Sequence, residues 1–251
     1  MIDLTGRGAL VTGGSRGIGR ATALLLGRAG ADVALTYHTR QPEANAVADE
    51  IRALGRRAFV DGGDHSEAPV AGRIVEAAAD RLGGALDIVV VNHGIWPPED
   101  VPLAAMPAAR WSRTMAANLD AVFHVVQAAL GRMRDGGTIV IVSSTAGQRG
   151  EAGHADYAAS KGALISLTKS LAVECAPRIT VNCVAPGWVD TDMSAGSLRG
   201  PDAARINATI PMRRAASAEE IAGPIVFLCS DLARHVTGEV LNVNGGSVLC
   251  G

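Results

Sequence analysis

The chain has 251 residues, a formal net charge of −2 and 48% hydrophobic residues. That is enough apolar material for one large core, and the near-neutral charge argues against a nucleic-acid or membrane-surface binder. Four scattered cysteines (Cys175, Cys183, Cys229, Cys250) and six histidines without ligand spacing give no disulfide framework and no metal site. The opening Met1-Ile2-Asp3-Leu4 lacks the pattern of a leader, and no apolar run is long enough to span a bilayer, so a cytoplasmic location is expected.

In chain order, Gly8 to Thr12 reads as a short strand, and Thr12-Gly-Gly-Ser-Arg-Gly-Ile-Gly19 follows it. A helical run from Arg20 to Ala29 stops at Gly30. Strand, glycine turn and helix form the setting of a phosphate-binding loop. Gly13, Gly17 and Gly19 permit the tight turn and let a pyrophosphate approach backbone N–H groups at the helix start. Asp32 to His38 is a second strand, Gln41 to Leu54 a helix, and Ala58 to Val60 a third strand. Ser66 to Leu82 reads as a helix with Ser66 as a cap. Leu86 to Val91 is nearly all apolar, as a strand buried on both faces should be, and it ends in Asn92-His93-Gly94.

Pro107 to Met133 reads as one long helix carrying Asn118, and Thr138 to Val142 as a strand running into Ser143-Ser144. Tyr157 to Cys175 is a helix, Ile179 to Val184 a strand, and Pro186-Gly187 follows. Asp192 to Pro211 has no clear pattern. Ser217 to Cys229 is a helix and Val240 to Val243 the last strand. The alternation means an α/β protein: one Rossmann-type, doubly wound parallel sheet covered by helices on both faces, as a single domain over residues 1–251. Ligands then bind beyond the carboxyl ends of the strands. The glycine loop, Asn92 to Gly94, Ser144 and Pro186-Gly187 all follow strand ends.

Within the fifth helix, Tyr157 and Lys161 lie one turn apart. A positive charge about 4 Å from a phenol is worth roughly 4 kcal/mol at an effective dielectric of 20, which could lower its pKa by up to about three units. That would suit a general acid/base.

Taken together these pieces resemble the short-chain dehydrogenase/reductase family over almost the whole chain. Thr12-Gly13-x-x-x-Gly17-x-Gly19 matches its cofactor loop and Tyr157-x-x-x-Lys161 its catalytic pair, with Ser144 thirteen residues before the tyrosine. The resemblance implies a catalytic set of Asn118, Ser144, Tyr157 and Lys161. Ser144 would position the carbonyl, Tyr157 would protonate it, Lys161 would lower the tyrosine pKa and hold the nicotinamide ribose, and Asn118 would anchor a water. Ser143 competes with Ser144 by position, and only the spacing to Tyr157 separates them. The resemblance also places the cofactor on Gly13, Ser15, Arg16, Gly17, Ile18 and Gly19, on Asp64 and His65, on Asn92 and Gly94, and on Pro186, Gly187, Val189 and Thr191. Two departures stand out: His93 replaces a small residue, and Asn244 replaces an aspartate. His93 is expected to hydrogen-bond a backbone carbonyl.

No acid ends the second strand, where Tyr37 stands, followed by His38, Thr39 and Arg40. Arg16 with Arg40 or His38 could meet a 2′-phosphate, so NADP(H) is expected, with NAD(H) as the alternative. Trp96, Trp188 and Met193 are expected to line the substrate end, beside Ser144. The nearest branch in pattern is the 3-oxoacyl-(acyl carrier protein) reductases. An acyl carrier protein is therefore a candidate partner, and Arg132, Arg134 and Arg178 could form the basic rim it needs. An alcohol, sugar or steroid dehydrogenase and a non-catalytic NADP sensor are the other readings. The family's habit of pairing the Asn118 and Tyr157 helices across two-fold axes implies a homotetramer.

Overall fold

The computed structural model of the chain describes residues 2 to 249; Cys250 lies outside them. Runs such as Leu86–Val91, with every residue buried, can only be interior strands. Seven strands form one sheet: β1 (Gly8–Val11), β2 (Asp32–Tyr37), β3 (Ala58–Gly62), β4 (Leu86–Val91), β5 (Met133–Val142), β6 (Ile179–Pro186) and β7 (Val240–Val243). Their order is β3-β2-β1-β4-β5-β6-β7, and every neighbouring pair runs parallel.

The helices are α1 (Gly17–Arg28), α2 (Gln41–Ala53), α3 (Ala68–Arg81), α4 (Ala108–Met115), α5 (Ala121–Leu130), α6 (Thr145–Arg149), α7 (Ala155–Cys175), α8 (Ala195–Leu198), α9 (Ala203–Thr209) and α10 (Ala218–Leu228). Side chains alternate across each strand, so the sheet feeds two cores. Val33, Leu35, Val140 and Val142 pack with α1, α2 and α10 residues such as Leu26, Ile51 and Ile225. Ala34, Ile139 and Ile141 pack with α3, α5 and α7 residues such as Val75, Val125 and Leu164. The order of the strands reverses direction at β1, so a crevice opens between the ends of β1 and β4.

The sequence reading of the elements needs four corrections. The glycine turn is shorter than expected, and α1 begins at Gly17, inside the motif. Ser66 does not cap α3; its N–H and hydroxyl donate to Asp64 Oδ1 at 2.9 and 2.7 Å, and Glu67 stands at the cap. The run from Pro107 to Met133 is not one helix. A wider π-helical turn, Ala116–Asp120, separates α4 from α5, and Met133 already belongs to β5. Single-turn π segments of this kind are frequent at functional sites. The unassigned stretch from Asp192 to Pro211 holds the short helices α8 and α9. Ser217, by contrast, does cap α10: its hydroxyl accepts from Glu220 N, and the Glu220 carboxylate accepts from Ser217 N.

Candidate active site

The turn after β1 needs its glycines. Gly13 and Gly17 have φ of +65° and +52°. A Cβ on Gly19 would lie 2.2 Å from the Gly13 carbonyl oxygen and 2.6 Å from Asn92 Nδ2. The turn is sewn to the end of β4 by Asn92, whose amide donates to the carbonyls of Thr12 and Gly13, both at 3.3 Å. This leaves the start of α1 with free backbone N–H groups facing a cleft of about 460 Å³. The cradle fits a dinucleotide pyrophosphate.

Of the expected site residues, all but Gly19 and Asn118 line that one cleft. Gly13, Ser15, Arg16, Gly17 and Ile18 floor it at the β1 end. Tyr37, His38, Arg40, Asp64 and His65 close its outer corner. Asn92 and Gly94 lie over its middle with Pro186, Gly187, Val189 and Thr191. Ser144, Tyr157, Lys161, Trp96, Trp188 and Met193 form the far end. Asn118 is fully buried behind Gly94: its Oδ1 accepts from Ile95 N at 2.7 Å, and its Nδ2 donates to Ile95 O at 3.0 Å and to Ser160 Oγ at 3.2 Å. Its side chain is thus committed to fixing the loop after β4 against α7.

Both serines line the cleft, and their hydroxyls have different partners. Ser143 Oγ is buried and donates to the Lys161 carbonyl at 2.7 Å. Ser144 stands in extended backbone before α6, accepts from Ala146 N at 3.1 Å, and lines the cleft.

Burial dominates the electrostatics. The Tyr157 phenol is pushed up to about 12 by desolvation, against a hydrogen bond from its neighbour Ser144 that pulls it down. The Lys161 ammonium is pushed down to about 8, again by desolvation. The sequence expectation that Lys161 lowers the phenol is therefore not met in this geometry. The lysine donates to the Val142 carbonyl at 2.9 Å and lies 5.9 Å from the centre of the tyrosine ring.

His93 does not meet a backbone carbonyl. Its Nδ1 sits 2.7 Å from Thr12 Oγ1, which already accepts from Asn92 N and His93 N. The same hydroxyl donates to the Val90 carbonyl at 3.4 Å. His93 packs against His65 with ring centres 4.7 Å apart and planes tilted by 32°, and among the described residues the Nε2 atoms of both rings are buried without a partner. Desolvation holds both well below the ordinary histidine value, His65 at about 4.

Sequence reasoning missed three features. His154, 3% exposed, stacks on Trp96 at 3.9 Å, and the Trp96 edge meets the Tyr157 ring at 4.6 Å. Arg110 and Asp156 form a buried ion pair at 3.1 Å, with Arg110 also donating to Glu99 O at 2.7 Å. Asp192 reaches Arg16 at 3.2 Å. None of these has a sequence signature, because the ring stack and both ion pairs join residues more than 40 positions apart. The expected basic rim is absent from the cleft mouth. Arg132 and Arg134 flank the start of β5 and Arg178 precedes β6, at the amino ends of the strands, opposite the cleft. Arg132 is paired with Glu76 and Asp80, and Arg178 with Asp135.

A parallel sheet with a glycine cradle at its switch point, joined by one cleft to a buried tyrosine–lysine pair, defines a nicotinamide-dinucleotide oxidoreductase. A family model described as enoyl-(acyl carrier protein) reductase matches residues 13–247. The Escherichia coli 3-oxoacyl-(acyl carrier protein) reductase FabG is 39% identical, covering 98% of both chains. The short-chain dehydrogenase/reductase FrzI of a Cladobotryum species is 40% identical over 98% of this chain and 97% of its own. Among solved structures, a blue fluorescent protein from a metagenomic library, in complex with NADPH, superposes with a TM-score of 0.93 at 38% identity over 98% of this chain and 100% of its own. A short chain dehydrogenase from Burkholderia cenocepacia in complex with NADP gives 0.91 at 38% identity over 97% and 98%. The chain belongs to the short-chain dehydrogenase/reductase family and is an oxidoreductase of its FabG-like branch.

Proposed function

We propose that the chain is an NADPH-dependent carbonyl reductase. The observation that carries this is the single cleft joining the glycine cradle and two arginines at one end to Ser144, Tyr157 and Lys161 at the other. When bound, nicotinamide supplies the hydride that adds to the carbonyl carbon. Ser144 donates its hydroxyl to the carbonyl oxygen, its own oxygen being anchored by Ala146 N. Tyr157, neutral through burial, gives that oxygen a proton. Lys161 spends one N–H on Val142 O and has two more for the nicotinamide ribose and for returning a proton to the phenol. Asn118 is a positioning residue that holds Ile95 over the cleft.

Arg16 and Arg40 face the outer corner, and the residue that ends β2 there is Tyr37, not an acid. This supports NADP(H) over NAD(H), as do the NADPH and NADP complexes among the similar structures. Trp96, Trp188 and Met193 give the far end an apolar wall. With the FabG relatives at 38–39% identity, this supports a ketone of the 3-oxoacyl thioester class. The paired arginines far from the cleft lend no support to a carrier protein bound at its mouth. Trp111, Phe123 and Val173 are exposed on α4, α5 and α7 and support a homotetramer; a monomer in sedimentation would contradict that state.

Titration of both cofactors against wild type and an Arg16→Ala/Arg40→Ala double variant tests the cofactor reading. Two charge-assisted partners of roughly 1.5–3 kcal/mol each predict a loss of at least about tenfold for NADPH and little for NADH. Equal losses for both cofactors would contradict it. A panel of 3-oxoacyl thioesters and plain ketones, followed at the nicotinamide absorbance, tests the substrate class.

A further inference from the structure

The corner proposed to read the 2′-phosphate already holds an anion supplied by the chain itself. One oxygen of Asp192, Oδ2, lies 3.2 Å from Arg16 Nη1 and 4.0 Å from Arg40 Nη1. Arg40 shares its charge with Glu43 at 3.2 Å, whereas Asp192 is the carboxylate on Arg16. Asp192 is held in place from behind. Thr191 N donates to Ser194 Oγ at 3.2 Å, and that hydroxyl in turn donates to the Val189 carbonyl. Thr191 also packs against the glycine turn, where a Cβ on Gly17 would lie 3.2 Å from its Cγ2. The carboxylate is thus delivered to the two guanidinium groups by a fixed turn.

We infer that Asp192 sets cofactor specificity: its carboxylate competes with the 2′-phosphate of the dinucleotide for Arg16 and Arg40. This rests on the NADP(H) reading above. A phosphate of charge near −2 and a carboxylate cannot share the same guanidinium faces without repulsion. The phosphate, with three acceptor oxygens, replaces Asp192 there. Asp192 weakens NADPH by the strength of the pairs it must give up, and it leaves NADH untouched. Thr191 and Met193 flank Asp192 and line the same cleft, so the exchange reaches the segment that closes the substrate end.

The test is calorimetric titration of wild type, Asp192→Asn and Asp192→Ala with 2′,5′-ADP, which carries the phosphate, and 5′-ADP, which lacks it. All three side chains are exposed, so each lost pair counts for little, and the gain in affinity for 2′,5′-ADP should be about three- to tenfold. Affinity for 5′-ADP should not move, and NADPH and NADH should follow the same split. In the Arg16→Ala/Arg40→Ala background the Asp192 substitutions should add nothing. Unchanged or weaker 2′,5′-ADP binding in both Asp192 variants, or an equal gain for 5′-ADP, overturns the competition while the phosphate reading stands. If the arginine double variant binds 2′,5′-ADP as wild type does, the phosphate reading itself fails and the competition falls with it.

Discussion

The ammonium of Lys161 lies 5.9 Å from the centre of the Tyr157 ring and donates 2.9 Å to the carbonyl of Val142, at the end of β5. The pair is therefore arranged around burial more than around mutual attraction. Desolvation raises the phenol to about 12 and lowers the ammonium to about 8. Each group is held in its neutral direction by the same dry wall.

A pH dependence follows for ketone reduction. Tyr157 stays protonated, and so competent as an acid, across the whole neutral range. Lys161 loses its charge as pH rises through about 8. The value of kcat/KM for reduction should be level from about pH 6 to 7.5 and fall by about tenfold per unit above the Lys161 value. A profile flat to pH 10 would show that the lysine charge is not required. Folding stability runs the other way in that window. The unfolded chain binds more protons at Lys161 between about 8 and 10.5, so this group's contribution improves as pH rises there.

Acid should act through the buried pair His65 and His93. His65 has a folded value of about 4 against 6.5 unfolded, with burial as the leading cause. Between those values the unfolded chain holds the extra proton, so stability is lost as pH falls from 6.5 towards 4. The loss from His65 is about 3 kcal/mol when complete, and His93 adds in the same direction. Melting temperature measured against pH should fall in this window for wild type and less steeply for His65→Gln. Parallel acid limbs would contradict the assignment.

The buried Arg110–Asp156 pair ties α4 to the start of α7 and, through Glu99 O, to the loop carrying Trp96. Asp156→Asn leaves an uncompensated guanidinium that is 9% exposed. Breaking such a pair costs about 3–5 kcal/mol. Denaturant unfolding should show that loss; a change under about 1 kcal/mol would mean water reaches Arg110.

Much of this was legible in the sequence because its signals are local. Strand, glycine turn and helix are contiguous from Gly8 to Ala29, and Tyr157 and Lys161 share one helical turn. The doubly wound sheet follows from alternation alone. The break at Asn118 was not legible: Ala116 to Asp120 carries no proline or glycine, and the partners that hold Asn118 in the wider turn, Ile95 and Ser160, lie over 20 and 40 residues away. The early start of β5 has no sequence signal: Met133 pairs with Leu86, the exposed Arg134 to Gly136 interrupt the ladder, and regular pairing with β4 resumes at Thr138. The electrostatics of Tyr157 failed for a related reason. Sequence spacing gives the distance along a helix but not the desolvation, which depends on Trp96 and Ala146 packed around the phenol.

The most direct test of the account is NADPH oxidation by a 3-oxoacyl thioester, with cofactor binding measured in parallel, for wild type and Tyr157→Phe. The substitution removes one oxygen from a buried ring that Trp96 continues to flank, so the fold should be retained. Loss of the general acid predicts a fall in turnover of about 10² to 10⁴-fold with NADPH affinity nearly unchanged. Turnover within about tenfold of wild type would show that the proton comes from elsewhere and would contradict the site assigned to this chain.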